Sequence, residues 1–117
     1  MVKRIVVGAG YGIRDWIGQR ATAVYMVLYT VFFGVRVALL PEFDQAAWVA
    51  LFSGGFMAFA TLLFLLALFY HAWVGMRNIF MDYVHPAGLR LTLHAAVIFL
   101  LVGYSGWAAL ILWRLVA

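Results

Sequence analysis

The histidine at position 71 points most directly to chemistry in this sequence. It lies inside a long stretch without charged side chains, residues 46–76, and six residues before Arg77. At 1.5 Å per residue, a helix would place it roughly 9 Å from that charged edge. Ionisable groups at such a depth in a membrane are costly and commonly functional, and a neutral imidazole is a good ligand for haem iron. Position alone leaves two interpretations open: a haem ligand, or a histidine hydrogen-bonded to a carbonyl of a neighbouring helix.

A second histidine, His94, lies one turn into another apolar stretch, at a depth that resembles that of His71. An intrachain bis-histidine haem site is therefore geometrically conceivable. A histidine this close to the membrane edge is more typical of a hydrogen bond at the aqueous boundary, and both interpretations stay open. His85, next to Pro86, is assigned no function.

Three further residues have polar side chains that could take part in chemistry. Asp82 and Tyr83 combine a proton-exchanging carboxylate with a phenol that can donate a hydrogen bond to a carbonyl, which are the two requirements of quinone reduction. Their spacing alone favours an interfacial tyrosine beside a solvated acid. Arg20 can pair with an anion such as a haem propionate, but its position alone favours a residue that sets membrane topology.

The composition excludes an ordinary soluble enzyme. Of the 117 residues, 68% are hydrophobic and 10% are charged, whereas a soluble domain is nearer half apolar and a quarter charged. A chain this short cannot bury so much apolar surface in its own interior, so the excess must face lipid or another subunit. The net charge of +4 is distributed over the edges of apolar stretches, which argues against nucleic-acid binding. Because cysteine is absent, thiolate metal sites and disulfides are excluded.

Three apolar stretches, at residues 21–40, 46–76 and 91–113, must position the candidate residues. A helix needs about 20 apolar residues to cross the hydrocarbon core, and lipid admits only helices or closed barrels. We therefore predict a single all-α membrane domain over residues 1–117. Its expected parts are a tail and interfacial segment at about 1–20 and transmembrane helices at about 21–40, 50–77 and 90–115. Residues 46–51 either precede the second helix along the interface or extend it as one long tilted helix.

The basic residues predict the orientation. Four precede the first helix, and two lie in the connector 77–90: Lys3, Arg4, Arg14 and Arg20, then Arg77 and Arg90. The connector 41–45 has no basic residue. The positive-inside rule therefore places the N-terminus and the 77–90 connector in the cytoplasm and the C-terminus in the periplasm.

Two segments together resemble a known family. Residues 12–23, GIRDWIGQRATA, resemble the pre-helix segment of the hydrophobic membrane-anchor subunits of bacterial succinate dehydrogenases. The sequence HAWVGM at 71–76, followed by DYV at 82–84, resembles the H-A-W-x-G-M…D-Y pattern of that family. The resemblance covers most of the chain, including its length, helix number and expected orientation.

The resemblance implies roles for individual residues. His71 would supply one axial ligand of haem b, the cytochrome b subunit would supply the other, and the intrachain pair with His94 would not form. Tyr83 would donate a hydrogen bond to a ubiquinone carbonyl, with Asp82 as its acidic neighbour in proton delivery. Arg20 would lie near the haem propionates. Arg14 stands where some relatives have histidine, so no propionate role is assigned to it.

The resemblance also implies a heterotetramer in the bacterial inner membrane, formed with a cytochrome b subunit, an iron–sulfur subunit and a flavoprotein subunit. Succinate would be oxidised at the FAD of the flavoprotein, and electrons would pass through iron–sulfur clusters to ubiquinone at the cytoplasmic membrane surface. The chain would not itself be the dehydrogenase. Two alternatives are the anchor of a quinol:fumarate reductase and a structural three-helix subunit that binds neither haem nor quinone.

Overall fold

A computed structural model describes the backbone of residues 9–116 and the side chains from residue 12 onward. It contains four α-helices in the order α1 (Ala9–Ala38), α2 (Gln45–Ser53), α3 (Phe56–Tyr83) and α4 (Ala87–Val116). Three of them, α1 from Gly12 onward, α3 and α4, are long and apolar enough to cross a membrane. The prediction of an all-α membrane chain with three spanning helices is confirmed. The tail with Lys3 and Arg4 lies outside the described residues.

The first helix begins earlier than the sequence pattern predicts. The segment expected to lie along the interface up to about residue 20 is continuous with the first span, and together they form the 30 residues of α1. No proline interrupts this stretch, so nothing forces the helix to start at the apolar boundary. At 1.5 Å per residue the helix is about 45 Å long, which exceeds a hydrocarbon core of about 30 Å. Its charged first turns can therefore extend beyond the lipid.

The central helix also extends past the predicted end at about residue 77. It ends at Tyr83, where the backbone N–H of Val84 still donates to the carbonyl of Phe80 at 3.0 Å. Pro86 then disfavours the helical conformation at the residue before it. The Pro86 carbonyl accepts the first backbone hydrogen bond of α4, from the N–H of Arg90. Asp82 and Tyr83 therefore lie on the last turn of α3 instead of in a connector.

A two-glycine break separates α2 from α3. The short α2 is capped by Asp44, whose carboxylate accepts from the Ala47 N–H at 2.8 Å. Gly55 has a φ of 81°, which residues with a side chain rarely adopt. Residues 46–51 were predicted either to precede the second spanning helix or to extend it. The structure shows that they form a separate short helix before it.

Helix α3 lies at the centre of the chain. It packs against α1 on one side and α4 on another, whereas the backbones of α1 and α4 do not approach each other over the described residues. The best-packed region forms at the α2 end, where a core cluster joins three helices: Leu51, Phe52, Met57, Ala58 and Leu112. Most large apolar side chains elsewhere are exposed and therefore face lipid or a partner chain. The opposite end of α1 and α3 contains the polar residues described next.

Candidate functional site

A cleft of about 570 Å³ lies between α1 and α3, towards the N-terminal end of α1. Its lining includes Asp15, Trp16, Gln19 and Arg20 from α1, and His71 and Asn78 from α3. Cofactor and small-molecule sites usually have volumes of about 300–1,000 Å³ and combine apolar walls with a few polar groups. In volume and in lining, this cleft fits that description.

His71 faces α1 and is partly buried. Its Nδ1 atom lies 3.1 Å from the hydroxyl oxygen of Thr22, one helix away. The Thr22 hydroxyl also lies 2.6 Å from the Gly18 carbonyl oxygen. His71 is thus held against α1 by one ring nitrogen.

Arg20 lines the same cleft from the other helix. Its guanidinium carbon lies 5.3 Å from the centroid of the Trp16 ring, a cation–π arrangement. The structure therefore brings Arg20 and His71, which are 51 positions apart in sequence, to one cleft. A cation and an imidazole are available there together.

An ion pair between Asp15 and Arg77 joins α1 to α3 beside the cleft. From the sequence, Arg77 was expected only to set membrane topology, so its pairing with Asp15 is an additional role. Two buried polar atoms nearby, Nε of Arg77 and Oε1 of Gln19, have no hydrogen-bond partner within the described part of the chain. The Oε1 atom of Gln19 can only accept a hydrogen bond, so a buried acceptor beside the cleft has no donor among the described residues.

Asp82 and Tyr83 lie outside the cleft. They follow His71 along α3 by roughly 17 Å of helix rise, beyond Arg77 and at the same end of the helix. Tyr83 is 77% exposed, and no described side chain forms a hydrogen bond with its hydroxyl. The structure thus leaves this phenol and its neighbouring carboxylate open at the end of α3.

His94 does not approach the cleft. Its Nδ1 donates to the Arg90 carbonyl oxygen at 2.7 Å, and its ring packs edge-on against Trp73 and Phe80 with centroids 5.6 and 5.5 Å away. These two aromatic residues are about 200° and 180° around α3 from position 71. The structure therefore places His94 on the face of α3 opposite to His71, which contradicts an intrachain bis-histidine site. His94 is instead a histidine that forms a hydrogen bond near the end of its own helix, which is the other interpretation left open by the sequence.

Thr22 contributes to the site although it was not among the residues predicted from the sequence. A pattern within α1 could have revealed it, because polar or small residues recur at helical spacing through an apolar stretch: Gly18, Thr22, Tyr25 and Tyr29. All four contact α3. The Tyr25 hydroxyl donates to the Ala60 carbonyl at 2.7 Å, and the Tyr29 hydroxyl bonds to Thr61. A polar stripe on a spanning helix faces its protein neighbours, and here it identifies the side that packs on α3.

Comparison with known proteins identifies relatives. Residues 3–105 match the sequence profile of the succinate dehydrogenase/fumarate reductase transmembrane subunits. The chain is similar to the succinate dehydrogenase hydrophobic membrane anchor subunit of Coxiella burnetii (strain RSA 493 / Nine Mile phase I). The two are 42% identical over 102 residues, which cover 87% of this chain and 89% of that protein.

Proposed function

The chain belongs to the succinate dehydrogenase/fumarate reductase transmembrane subunit family, and from that premise we propose that it is the membrane-anchor subunit of a bacterial succinate:ubiquinone oxidoreductase. The observation that carries the proposal is the cleft that His71 and Arg20 share. An imidazole and a cation on two packed helices match the needs of an anionic, iron-containing cofactor. The open Asp82–Tyr83 pair at the same end of α3 supports a second site for a quinone.

The haem in this proposal is haem b, shared with the cytochrome b subunit. The residues present fit it. His71 offers one imidazole nitrogen to the iron, since Thr22 contacts only the other. Arg20 would neutralise a propionate, and Trp16 would hold the guanidinium in place. Among the described residues a single histidine lines the cleft, so a second imidazole for the iron would have to come from the cytochrome b subunit. When bound, the haem would supply one-electron transfer within the membrane.

The quinone site in this proposal includes Tyr83 and Asp82. Reduction of ubiquinone to the quinol consumes two electrons and two protons. The exposed Tyr83 hydroxyl donates a hydrogen bond to a quinone carbonyl and so holds the ring at the end of α3. Asp82, also exposed, exchanges protons with water beside it. The electrons come from the iron–sulfur subunit and, before it, from succinate oxidation at the FAD of the flavoprotein subunit.

The anchoring role follows from the distribution of charge and apolar surface. The exposed apolar side chains of the three spanning helices face lipid and the cytochrome b subunit. Basic residues gather at the end of α1 and α3 that carries Arg14, Arg20 and Arg77. By the positive-inside rule this end faces the cytoplasm, where the iron–sulfur and flavoprotein subunits bind. The complex lies in the bacterial inner membrane.

Purification of the tagged chain from its native membranes tests this function. We expect three further subunits to co-purify, together with FAD, iron–sulfur clusters and the absorbance of a b-type haem. The preparation should reduce ubiquinone with succinate as the electron donor. Recovery of the chain without haem and without those subunits would instead identify a structural three-helix protein. Recovery of a complex that oxidises quinol with fumarate but does not oxidise succinate would identify the fumarate reductase alternative.

A further inference from the structure

The hydroxyl of Thr22 has three polar neighbours but only one proton. Its oxygen lies 2.6 Å from the Gly18 carbonyl oxygen, 3.1 Å from the Gln19 carbonyl oxygen and 3.1 Å from His71 Nδ1. The two carbonyl oxygens can only accept hydrogen bonds. An oxygen–oxygen separation of 2.6 Å requires a proton between the two atoms, because their lone pairs would otherwise repel. The Thr22 proton therefore belongs to the bond with Gly18.

The position of this proton determines the tautomer of His71. Once Thr22 has donated to Gly18, only a lone pair of its oxygen faces Nδ1. The contact at 3.1 Å is then a hydrogen bond in which the Nδ1–H of His71 donates to Thr22. In a neutral imidazole only one ring nitrogen carries a proton, so Nε2 has the free lone pair. That nitrogen is the one available to a metal.

A close helix contact holds Thr22 in this position. Gly18, one turn before Thr22 on α1, packs directly against the Tyr70 side chain of α3. A Cβ atom at position 18 would overlap the Tyr70 hydroxyl and lie 2.8 Å from Cε1 of its ring. The absence of a side chain at Gly18 lets the two helices approach where His71 follows Tyr70. The Thr22–His71 bond is thus built into the packing of α1 on α3.

We propose that Thr22 is a positioning residue for haem ligation, an inference that rests on the proposed role of His71 as an axial ligand. Its oxygen accepts the Nδ1–H bond, sets the tautomer and orients the ring so that Nε2 binds iron. The bond to Gly18 polarises the hydroxyl and makes it a better acceptor. Such a bond raises the basicity of a ligating imidazole. A more basic ligand stabilises ferric over ferrous iron, so Thr22 lowers the midpoint potential of the haem.

The experiment compares Thr22→Val, which removes the hydroxyl and keeps the shape, with Thr22→Ser, which keeps the hydroxyl. Each variant is introduced into the complete membrane complex, and the haem is followed by redox titration and by electron paramagnetic resonance. We expect Thr22→Val to raise the midpoint potential and alter the low-spin signal, and Thr22→Ser to behave as the unmodified complex does. Thr92→Val is the matched control, because Thr92 also donates to the carbonyl four residues earlier, at 2.8 Å, but is exposed on α4.

An unchanged potential and signal in Thr22→Val would overturn the inference, as would a Thr22→Ser complex that resembles Thr22→Val. If Thr22→Val does not assemble, Thr22→Ala removes the same acceptor without a branched side chain and is expected to raise the potential in the same way. His71→Gln separates this inference from the proposed function. Loss of the haem signal in His71→Gln with no effect of Thr22→Val would refute the role of Thr22 alone. An unchanged haem in His71→Gln would refute the haem site itself.

Discussion

His71, a residue of α3, and His94, a residue of α4, lie on opposite sides of α3. His71 contacts Thr22 of α1, whereas His94 packs against Trp73 and Phe80 and bonds to its own helix. The cleft therefore receives one imidazole from the described residues of this chain. An iron bound there with two histidine ligands requires the second from another chain, which agrees with a subunit that completes its site only on assembly.

Replacing Tyr83 by phenylalanine should slow ubiquinone reduction. The variant keeps the ring and removes the exposed hydroxyl that we assign to the quinone carbonyl. A lost hydrogen bond of about 1.4 kcal/mol corresponds to a rate decrease of roughly 10-fold. The measurement is succinate:ubiquinone reductase activity of the purified complex. Succinate oxidation by a soluble dye, which does not use the quinone site, should remain unchanged.

Tyr104→Phe is the matched control for that experiment. Tyr104 is also an exposed tyrosine, but it lies on α4 and packs against Phe69. We expect normal ubiquinone reduction from this variant. Equal activity in Tyr83→Phe and Tyr104→Phe would remove Tyr83 from the quinone site.

The ion pair between Asp15 and Arg77 should contribute modestly to the stability of the complex. Both side chains are partly exposed, at 32% and 28%, and pairs of this kind contribute about 0.2–1 kcal/mol. Asp15→Asn and Arg77→Gln should each lower the thermal unfolding temperature slightly. The double variant should be no less stable than the worse single variant, because both changes remove one interaction. Fully additive losses would show that the two residues act independently.

Alanine should destabilise the protein at one of the two glycines between α2 and α3 but not at the other. Gly55 has φ and ψ of 81° and −40°, a region that residues with a side chain rarely adopt and that costs them about 1–3 kcal/mol. Gly54 has φ and ψ of −73° and −4°, which alanine adopts without strain. No atom lies within 4 Å of an added Cβ at either position, so backbone conformation alone separates them. Thermal unfolding of the solubilised complex should show destabilisation for Gly55→Ala and no loss for Gly54→Ala.

Much of the fold could be predicted from hydrophobicity, because a spanning helix leaves a long apolar stretch in the sequence. The ends of the helices could not be located in this way. Hydrophobicity locates the lipid boundary, whereas a helix ends where its backbone hydrogen bonds end. Helix α3 therefore continues through Arg77 and Asp82 until Pro86 stops it. For the same reason α1 is already helical at Ala9, well before the apolar stretch.

The candidate site was only partly predictable for a different reason. His71 stands out as an ionisable residue in an apolar stretch, so its type and depth identified it. Thr22 and the Asp15–Arg77 pair depend on how α1 packs on α3, which sequence spacing within one helix does not specify. The same packing decides that Arg20 shares the cleft with His71 and that His94 does not.

The haem spectrum of the purified complex carrying His71→Gln tests the central claim most directly, with His94→Gln as its matched control. We predict that His71→Gln loses the low-spin haem b signal or converts it to high-spin, while the four subunits still co-purify. We predict that His94→Gln keeps the signal of the unmodified complex. An unchanged low-spin spectrum in His71→Gln, or loss of the signal only in His94→Gln, would contradict the assignment of His71 as the haem ligand of this chain.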